Sequence, residues 1–258
     1  MQLNPRIIPC LLLDGEALVK TTQFADPVYV GDPVNVLSIF NSFEVDEIVL
    51  LDITAAHRRS PAPDALLAHL AEECFIPLAY GGGLTTVEQI GRILKIGFEK
   101  VVLNTLLFDD PGVVRDAVTR FGSQAVVASI DVRGDGSMAS VFVRGASHDV
   151  GEDPVSWARK AERLGVGEVL LTAVDREGTM SGFDLDLIGA VTAAVSVPVI
   201  AHGGAGKRSQ LALPLHQSGA SAVAAGSLFV FQGTQRAVLI NYPARPQIVR
   251  LIASDPTT

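Results

Sequence analysis

The stretch PLAYGGG at residues 77–83 recurs 121 positions later as PVIAHGG at residues 198–204. Both are short apolar runs that end in glycines, a pattern typical of a buried parallel strand followed by a tight turn. This repeat predicts two homologous halves of four strands each, about residues 1–121 and 122–245. Three more pairs of runs repeat in the same order at nearly the same spacing: RIIPCLL (6–12) with AVVASID (125–131), DEIVLLDIT (46–54) with GEVLLTAVD (167–175), and GFEKVVLNT (97–105) with GASAVAAGS (219–227).

The whole chain alternates between short apolar runs and longer segments with apolar residues at helical spacing. Eight strands with intervening helices in 258 residues predict an α/β protein, a single (β/α)8 TIM barrel over residues 1–258 with a C-terminal tail at 246–258. A doubly wound open sheet is the competing architecture, but its usual G-x-G-x-x-G turn is missing after the first strand. The strand candidates are residues 6–12, 47–53, 77–80, 100–103, 125–131, 168–172, 198–201 and 222–225, and the helix candidates are 64–73, 87–96, 112–120, 154–164, 185–194 and 207–217.

The composition excludes several classes of protein. The net charge is −8 and no basic run is present, which argues against nucleic-acid binding because phosphate neutralisation needs clustered Lys and Arg. The two cysteines have no metal-ligand spacing around them and favour reduced core thiols over a disulfide framework or a metal site. The run IIPCLLL is short and interrupted by Pro9, which indicates neither a signal peptide nor a membrane span. We expect a cytoplasmic protein without cofactor or metal.

Glycine-rich strand ends predict two phosphate sites at the C-terminal ends of the strands, where the active sites of such barrels lie. Strands 7 and 8 end in HGGAG and AAGS, and strands 3 and 4 end in YGGG and NT. Glycines let backbone N–H groups approach an anion, so a substrate with a phosphate at each end would span the barrel. The alternative is that the glycines only make tight turns. The candidate residues are Gly82, Gly83, Asn104 and Thr105 on one rim and Gly203, Gly204, Gly226 and Ser227 on the other.

Other polar residues fall at the same end of the predicted barrel. Asp131 ends strand 5 and is the candidate general acid or base; a cap or turn role is the alternative. Asp52 and Asp175 favour structural roles, although the loop DREGT, with Asp175, Gly178 and Thr179, suits ligand contact. Lys20 and the loop at residues 21–32 predict either a mobile lid or an ordinary surface loop.

Four charged residues begin strands 1, 2, 4 and 6 and should meet at the opposite, N-terminal end of the barrel axis. They are two cations and two anions, so they can neutralise one another, and burial would be costly without such pairing. The residues alone leave a stability plug and a functional role equally open. The four are Arg6, Glu47, Lys100 and Glu168.

These features together resemble the cyclase subunit of imidazole glycerol phosphate synthase over essentially the whole chain. The shared motifs are RII-C, DE--LLDIT, GGG, NT, FGSQAVV-SID, GE-LLT--DR-GT-SG, GGAGK and A--S-F. The resemblance implies a glutaminase subunit docked on the N-terminal face and ammonia that travels along the barrel axis. It makes the four charged residues a gate for that ammonia, and it assigns both glycine-rich rims to the substrate phosphates.

The chain departs from that family where strand 1 ends. Cyclases of the family have Cys-Leu-Asp there, whereas this chain has Cys10-Leu11-Leu12 and keeps only the partner carboxylate, Asp131. Three rim positions, Tyr80, His202 and Gly226, and the C-terminal segment SLFVFQGTQRAVLINYP also differ. The pattern is similar to a paralogous branch of surface-polysaccharide gene sets, which supplies ammonia for acetamidino groups on nucleotide-activated sugars together with a separate ATP-dependent amidotransferase. The alternatives are a histidine-biosynthesis cyclase and a non-catalytic scaffold that activates a glutaminase.

Overall fold

The computed structural model describes residues 5–58 and 60–253, apart from the side chains of residues 56 and 57. Residues 1–4 of the expected first half and 254–258 of the expected tail lie outside the described residues. Each barrel strand pairs in parallel with the next, and the eighth pairs with the first through Arg6 and Ala222, which confirms the (β/α)8 TIM barrel. The barrel strands are β1 (Arg6–Asp14), β2 (Ile48–Asp52), β3 (Leu78–Gly81), β4 (Lys100–Leu103), β5 (Val126–Arg133), β6 (Glu168–Ala173), β7 (Val199–His202) and β8 (Ala222–Ala225).

Helices follow the strands and cover the outside of the barrel. Several begin at residues that cap the exposed N–H groups of the first turn, such as Thr86, whose hydroxyl accepts from the Gln89 amide. The predicted helix at 207–217 is instead a 3₁₀ turn and a short α-helix, because Pro214 lacks the N–H that a continuous helix would use. The helices are α1 (Pro33–Ser42), α2 (Ala55–Arg58), α3 (Asp64–Glu73), α4 (Val87–Ile96), α5 (Thr105–Asp109), α6 (Pro111–Phe121), α7 (Pro154–Leu164), α8 (Leu185–Thr192), α9 (Leu213–Gln217), α10 (Ser227–Val230) and α11 (Arg245–Ala253).

The core has two apolar layers, because successive strand residues face opposite sides of the sheet. In β1, Ile7, Leu11 and Leu13 pack outward against the helices, whereas Ile8 and Cys10 face the barrel axis. The alternation places Leu12 on the same inward face as Cys10. The inner layer is apolar around the barrel and consists of Ile8, Cys10, Val49, Ala79, Val102, Val127, Leu170, Ile200, Ala222 and Ala224.

The segment expected as a lid or surface loop is an ordered β-hairpin. Strand β1 turns at Gly15, whose φ is +62°, and pairs with Ala17–Thr22, which pairs in turn with Ala25–Gly31. Strand β5 likewise continues into an antiparallel strand, Ser140–Val143. Both hairpins stand at the C-terminal ends of their barrel strands, which is called the mouth below. A further short hairpin pairs Phe231–Gln232 with Ala237–Val238.

The helices are all short. Among residues 5–58 and 60–253, none combines the length and the apolar character needed to cross a membrane.

Candidate active site at the mouth of the barrel

Asp131 lies near the C-terminal end of β5 and is buried. Its carboxylate accepts hydrogen bonds from the Ser129 hydroxyl at 3.3 Å and from the Asn104 amide at 3.2 Å. Burial raises the pKa of Asp131 to about 7, although hydrogen bonds from Ser129 and Thr172 act in the opposite direction. A carboxyl group with a pKa near neutral can both give and take a proton, which suits general acid–base chemistry.

We predict that Asp131→Asn stabilises the protein at pH 8 and not at pH 4. A pKa raised on folding disfavours the ionised folded state, so the cost is absent below the ordinary pKa near 4 and complete above about 7. That cost is about 4 kcal/mol for a rise of this size. Urea unfolding of both proteins from pH 4 to pH 8 measures it. Asp175→Asn is the exposed control, and equal pH dependence of wild type and Asp131→Asn would contradict the prediction.

Asn104 orients Asp131 as well as bordering the mouth. Its amide nitrogen also lies 3.2 Å from the Ser129 carbonyl oxygen and 3.3 Å from that of Phe142, so its orientation is fixed. The Thr105 hydroxyl lies 3.4 Å from the Asn104 side-chain oxygen and accepts from the Arg144 amide at 3.2 Å. Both candidate rim residues are therefore tied to the protein itself.

A second buried cluster lies at the mouth and was not predicted from the sequence as a unit. Lys20 reaches from the first hairpin and forms an ion pair with Glu177 of the loop after β6. Nε2 of His202 lies 3.9 Å from Glu177 Oε1, and Nδ1 lies 3.1 Å from the Thr172 hydroxyl. Burial opposes ionisation of Glu177, yet His202 and Lys20 leave its pKa below the ordinary value. The cluster thus combines a cation, a carboxylate and an imidazole away from water.

Close contacts within the protein are enough to explain why most of the rim positions are glycine. A Cβ at Gly82 would lie 2.7 Å from the Asp52 carbonyl oxygen, and one at Gly203 would lie 2.6 Å from that of Ala173. Gly83 and Gly204 also have positive φ and lie closer still to neighbouring backbone. These approaches are to the protein itself, so phosphate binding at these rims stays a prediction.

Gly226 has a different structural neighbour. A Cβ there would lie 2.7 Å from Cε of Lys20, so the missing side chain lets Lys20 cross the end of β8 to reach Glu177. Gly178 follows Glu177, and its amide donates to the carboxylate of Glu177 at 2.7 Å. Both glycines thereby support the buried ion pair.

Arg236 is a mouth residue that the sequence did not reveal. The short C-terminal hairpin places its guanidinium 3.4 Å from the Ser227 hydroxyl, and the same group donates to the Gly178 carbonyl oxygen. Its guanidinium carbon lies 5.1 Å from the ring centroid of Phe231. The buried Nε has no hydrogen-bond partner in the part of the chain that the structure describes. A cation therefore stands beside Ser227 on the rim of β7 and β8.

The remaining candidates in the loop after β6 hold that loop in shape. Asp175 is exposed, and its carboxylate accepts from the Gly134 amide at 2.8 Å. The Thr179 hydroxyl donates to the Arg176 carbonyl oxygen at 2.6 Å. Both residues lie at the mouth, and their direct partners in the structure are structural.

Asp52 is structural, as the sequence predicted. Its carboxylate accepts from the amide of Ala55 at 2.9 Å, which caps α2, and from Arg58 at 2.5 Å. Tyr80 is fully buried in the outer apolar layer, and its hydroxyl donates to Asp52 at 3.3 Å. Tyr80 therefore packs away from the barrel interior and does not line the mouth.

The four charged residues of the N-terminal end form one closed network, named the basal cluster (Arg6, Glu47, Lys100 and Glu168). Arg6 pairs with both carboxylates. The Lys100 ammonium lies 2.9 Å from Glu47 and 3.0 Å from Glu168. Burial lowers the pKa of Arg6, but its two carboxylate partners outweigh burial and leave that pKa raised. The cluster closes the barrel axis below the inner apolar layer.

An apolar groove lies on the same N-terminal face, beside the starts of β2 and β3. Its volume is about 310 Å³, and Phe75 at its edge is 89 % exposed. Phe43, at the end of α1, is another exposed aromatic side chain on this part of the surface. Exposed aromatic groups next to a groove are typical of protein contacts. The groove is lined by Asn41, Glu44, Val45, Phe75, Ile76 and Pro77.

Buried ionisable groups at the mouth and a network of paired charges at the base distinguish the two ends of this TIM barrel. The chain belongs to the histidine biosynthesis protein family, which matches residues 6–235. It is 48 % identical over 239 residues to "Putative imidazole glycerol phosphate synthase subunit hisF2" of Pseudomonas aeruginosa, covering 92 % of this chain and 95 % of that protein.

Other relatives have similar names. A protein of Leptospira interrogans, "Putative imidazole glycerol phosphate synthase subunit HisF", is 42 % identical over 246 residues, which are 94 % of this chain and 96 % of that protein. "Imidazole glycerol phosphate synthase subunit HisF" of Endomicrobium trichonymphae is 43 % identical over 231 residues, which are 89 % of this chain and 88 % of that protein. These relatives confirm the resemblance to the cyclase-subunit family.

Proposed function

We propose that this cytoplasmic protein receives ammonia from a partner glutaminase through the barrel axis and supports acetamidino-sugar formation in surface polysaccharide biosynthesis. The observation that carries the proposal is the combination of an intact basal cluster with Leu12 in place of a mouth carboxylate. The intact basal cluster supports a gate, while the mouth lacks one group of the cyclase pattern.

The chemistry of ammonia fits the interior of the barrel. Neutral ammonia can cross an apolar layer, whereas the ammonium ion would lose its hydration there at a high free-energy cost. The basal cluster contains two cations and two carboxylates that already share partners, with Lys100 contacting both Glu47 and Glu168. Such charges can exchange partners without leaving any one of them unpaired. That property suits a gate better than a plug.

The glutaminase is proposed to dock on the N-terminal face. The apolar groove beside Phe75 lies next to the strand starts that hold Glu47, so a partner seated there would contact the gate region. Aromatic side chains such as Phe43 and Phe75 are the kind of anchor that dominates binding at protein interfaces. Ammonia released by that partner would be delivered at the base of the barrel.

The mouth is proposed to bind a phosphorylated substrate at its two rims. Arg236 beside Ser227 supports this for the rim of β7 and β8, because a guanidinium binds phosphate through charge-assisted hydrogen bonds. Gly82, Gly83, Asn104 and Thr105 would form the opposite rim. Lys20, Asp175 and Thr179 border the space between the two rims.

We predict that inorganic phosphate binds the isolated chain and that Arg236→Ala weakens this binding about tenfold or more, because a charge-assisted hydrogen bond is worth about 1.5–3 kcal/mol. Amide chemical shifts at Gly203, Gly204 and Ser227 should report the titration. Arg92→Ala, which removes an exposed cation of α4 that pairs with Asp64 on the outside of the barrel, is the matched control. Equal affinity of wild type and Arg236→Ala would contradict the prediction.

Two alternative functions compete with this proposal. A cyclase subunit in histidine biosynthesis is favoured by one observation, the retained Asp131 with its pKa raised to about 7. A scaffold that only activates a glutaminase would need the N-terminal face and not the buried mouth cluster.

An acetamidino-sugar pathway would also require a separate ATP-dependent amidotransferase, because exchange of an oxygen for nitrogen needs an activated leaving group.

Reconstitution with the cognate glutaminase tests the proposal. The complex should hydrolyse glutamine and transfer its nitrogen to a nucleotide-activated sugar when the ATP-dependent amidotransferase is added. The histidine precursor is the competing substrate, and ¹⁵N-labelled amide glutamine identifies which product receives the nitrogen. Label in the imidazole product alone would establish the cyclase, and label in neither product with faster glutamine hydrolysis would establish the scaffold.

A further inference from the structure

Three polar side chains at the mouth lie on neighbouring strands at one level of the barrel. In the strand register, Thr172 of β6 is paired with Asp131 of β5 on one side and with His202 of β7 on the other. The Thr172 hydroxyl lies 3.1 Å from Nδ1 of His202, and the parallel register places Thr172 directly beside Asp131 on the neighbouring strand. One hydroxyl therefore lies between a carboxyl group and an imidazole ring, within hydrogen-bond distance of the ring.

The shared hydroxyl couples the proton positions of its two neighbours, because it has only one proton to donate. When Asp131 is ionised, Thr172 donates to the carboxylate and accepts from Nδ1–H of His202, which leaves the lone pair on Nε2. When Asp131 is protonated, Thr172 can donate to Nδ1 instead, and the proton of the neutral ring then resides on Nε2. The ionisation of Asp131 thus selects the tautomer of His202.

The other ring nitrogen of His202 is not hydrogen-bonded by the described residues. Nε2 of His202 is buried and has no hydrogen-bond partner among the residues that the structure describes. A buried nitrogen without a partner requires an explanation, and a ligand atom that occupies the position is one. The Glu177 carboxylate, 3.9 Å away and held by Lys20, would stabilise positive charge on the ring.

We propose that Asp131, Thr172 and His202 form a proton relay at the mouth, in which Nε2 of His202 accepts a proton from the reacting nitrogen. The relay deepens the proposed function and rests on it for the identity of that nitrogen as ammonia. It supplies the second proton-transferring group that Leu12 cannot provide. His202 and Asp131 are the transferring groups, and Thr172 positions them.

The lone pair of ammonia forms a bond to an electrophilic carbon of the substrate, the bond from that carbon to its leaving group breaks with its electron pair going to the leaving group, and the nitrogen becomes positively charged. One N–H bond then breaks, its electron pair stays on nitrogen, and its proton moves to Nε2. The Nδ1 proton passes to the Thr172 oxygen while the hydroxyl proton passes to the Asp131 carboxylate. Protonated Asp131 can then return a proton to the leaving group or to water.

The charged surroundings keep both ends of the relay usable near neutral pH. Burial lowers the pKa of His202; Glu177 opposes that effect, and Lys20 adds to it, so the ring is neutral and able to accept a proton. Burial raises the pKa of Asp131 to about 7, so both of its protonation states are accessible. The titratable groups that face the relay are Cys10 of β1, Lys20 of the first hairpin, Asp131 of β5 and Glu177 of the loop after β6.

Histidine ¹⁵N spectra of the intact chain test the coupling without any substrate. As pH rises through 7 and Asp131 ionises, the ring proton of His202 should move from Nε2 to Nδ1 while the ring stays neutral. The ¹⁵N shift of Nδ1 should then become that of a protonated nitrogen, and the shift of Nε2 that of an unprotonated one. Thr172→Val should abolish that response. Thr172→Ser keeps the hydroxyl and should preserve the response, whereas Asp131→Asn should fix one tautomer. His148 and His216 provide internal controls. A response unchanged in Thr172→Val, or absent in wild type, overturns the relay.

The reconstituted complex tests the chemical role. His202→Gln should lower ammonia-dependent product formation about 10²–10⁴-fold, the range for loss of a positioned acid or base, and leave glutamine hydrolysis intact. Thr172→Val should lower it as well, and Thr172→Ser should restore it. Undiminished product formation by His202→Gln overturns the proton-acceptor role. If the wild-type complex transfers no nitrogen, the proposed function fails, while the histidine spectra still decide whether the relay exists.

Discussion

Replacing Lys100 with methionine is expected to uncouple glutamine hydrolysis from ammonia use and to destabilise the barrel. The change leaves Arg6 alone with two buried carboxylates, Glu47 and Glu168. Loss of one partner from a buried ion pair typically costs about 3–5 kcal/mol, because an uncompensated charge stays buried. Urea unfolding measures the free energy of unfolding, and the ratio of product to glutamate in the complex measures coupling. Wild type should give a ratio near one, and the variant a much lower ratio.

A double variant separates the two effects of this substitution. Lys100→Met combined with Glu168→Gln leaves one cation and one carboxylate, so most of the lost stability should return while the exchange of partners remains impossible. Lys95→Ala, in the exposed last turn of α4, should change neither quantity. Tight coupling in the double variant, in a complex shown to form, would leave the basal cluster as a stability plug only.

The repeat in the sequence predicted the barrel because its strands follow a simple rule. Buried parallel strands are short apolar runs, and PLAYGGG and PVIAHGG mark two of them at positions that became β3 and β7. The hairpin after β1 was not predicted, because Ala17–Thr22 is defined by antiparallel pairing with residues on both sides rather than by its own apolar pattern. The division into half-barrels stays a prediction.

The sequence predicted a site residue only where the position of that residue, at the start or the end of a single strand, was enough to identify it. Asp131 was found because it ends an apolar run, and the basal cluster because its members begin strands. Thr172 and Glu177 were missed, since they become neighbours of His202 only through the register of β6 and β7 and the fold of the following loop. Arg236 reaches Ser227 through a hairpin whose two strands have only two residues each. Strands of that length are too short to show an alternating apolar pattern in the sequence.

The wild-type chain is expected to be a very poor imidazole glycerol phosphate cyclase. Leu12 is buried on the inward face of β1 and can neither donate nor accept a proton. A positioned general acid or base typically contributes about 10²–10⁴-fold in rate, so its loss should raise the barrier by about 3–5 kcal/mol. Turnover of the histidine precursor with ammonium salts, which needs no glutaminase, should therefore be near background.

Leu12→Asp should recover part of this activity if the missing carboxylate is the main defect. A gain from the added acid–base group should depend on pH and should be absent in Leu12→Asn, which has similar size and polarity but does not titrate in this range. Asp131→Asn in the Leu12→Asp background should remove the gain, because the two carboxyl groups would act as a pair. A wild-type rate like that of ordinary cyclases would instead show that a mouth with Leu12 can perform the reaction, and the histidine-biosynthesis function would then replace the acetamidino-sugar function.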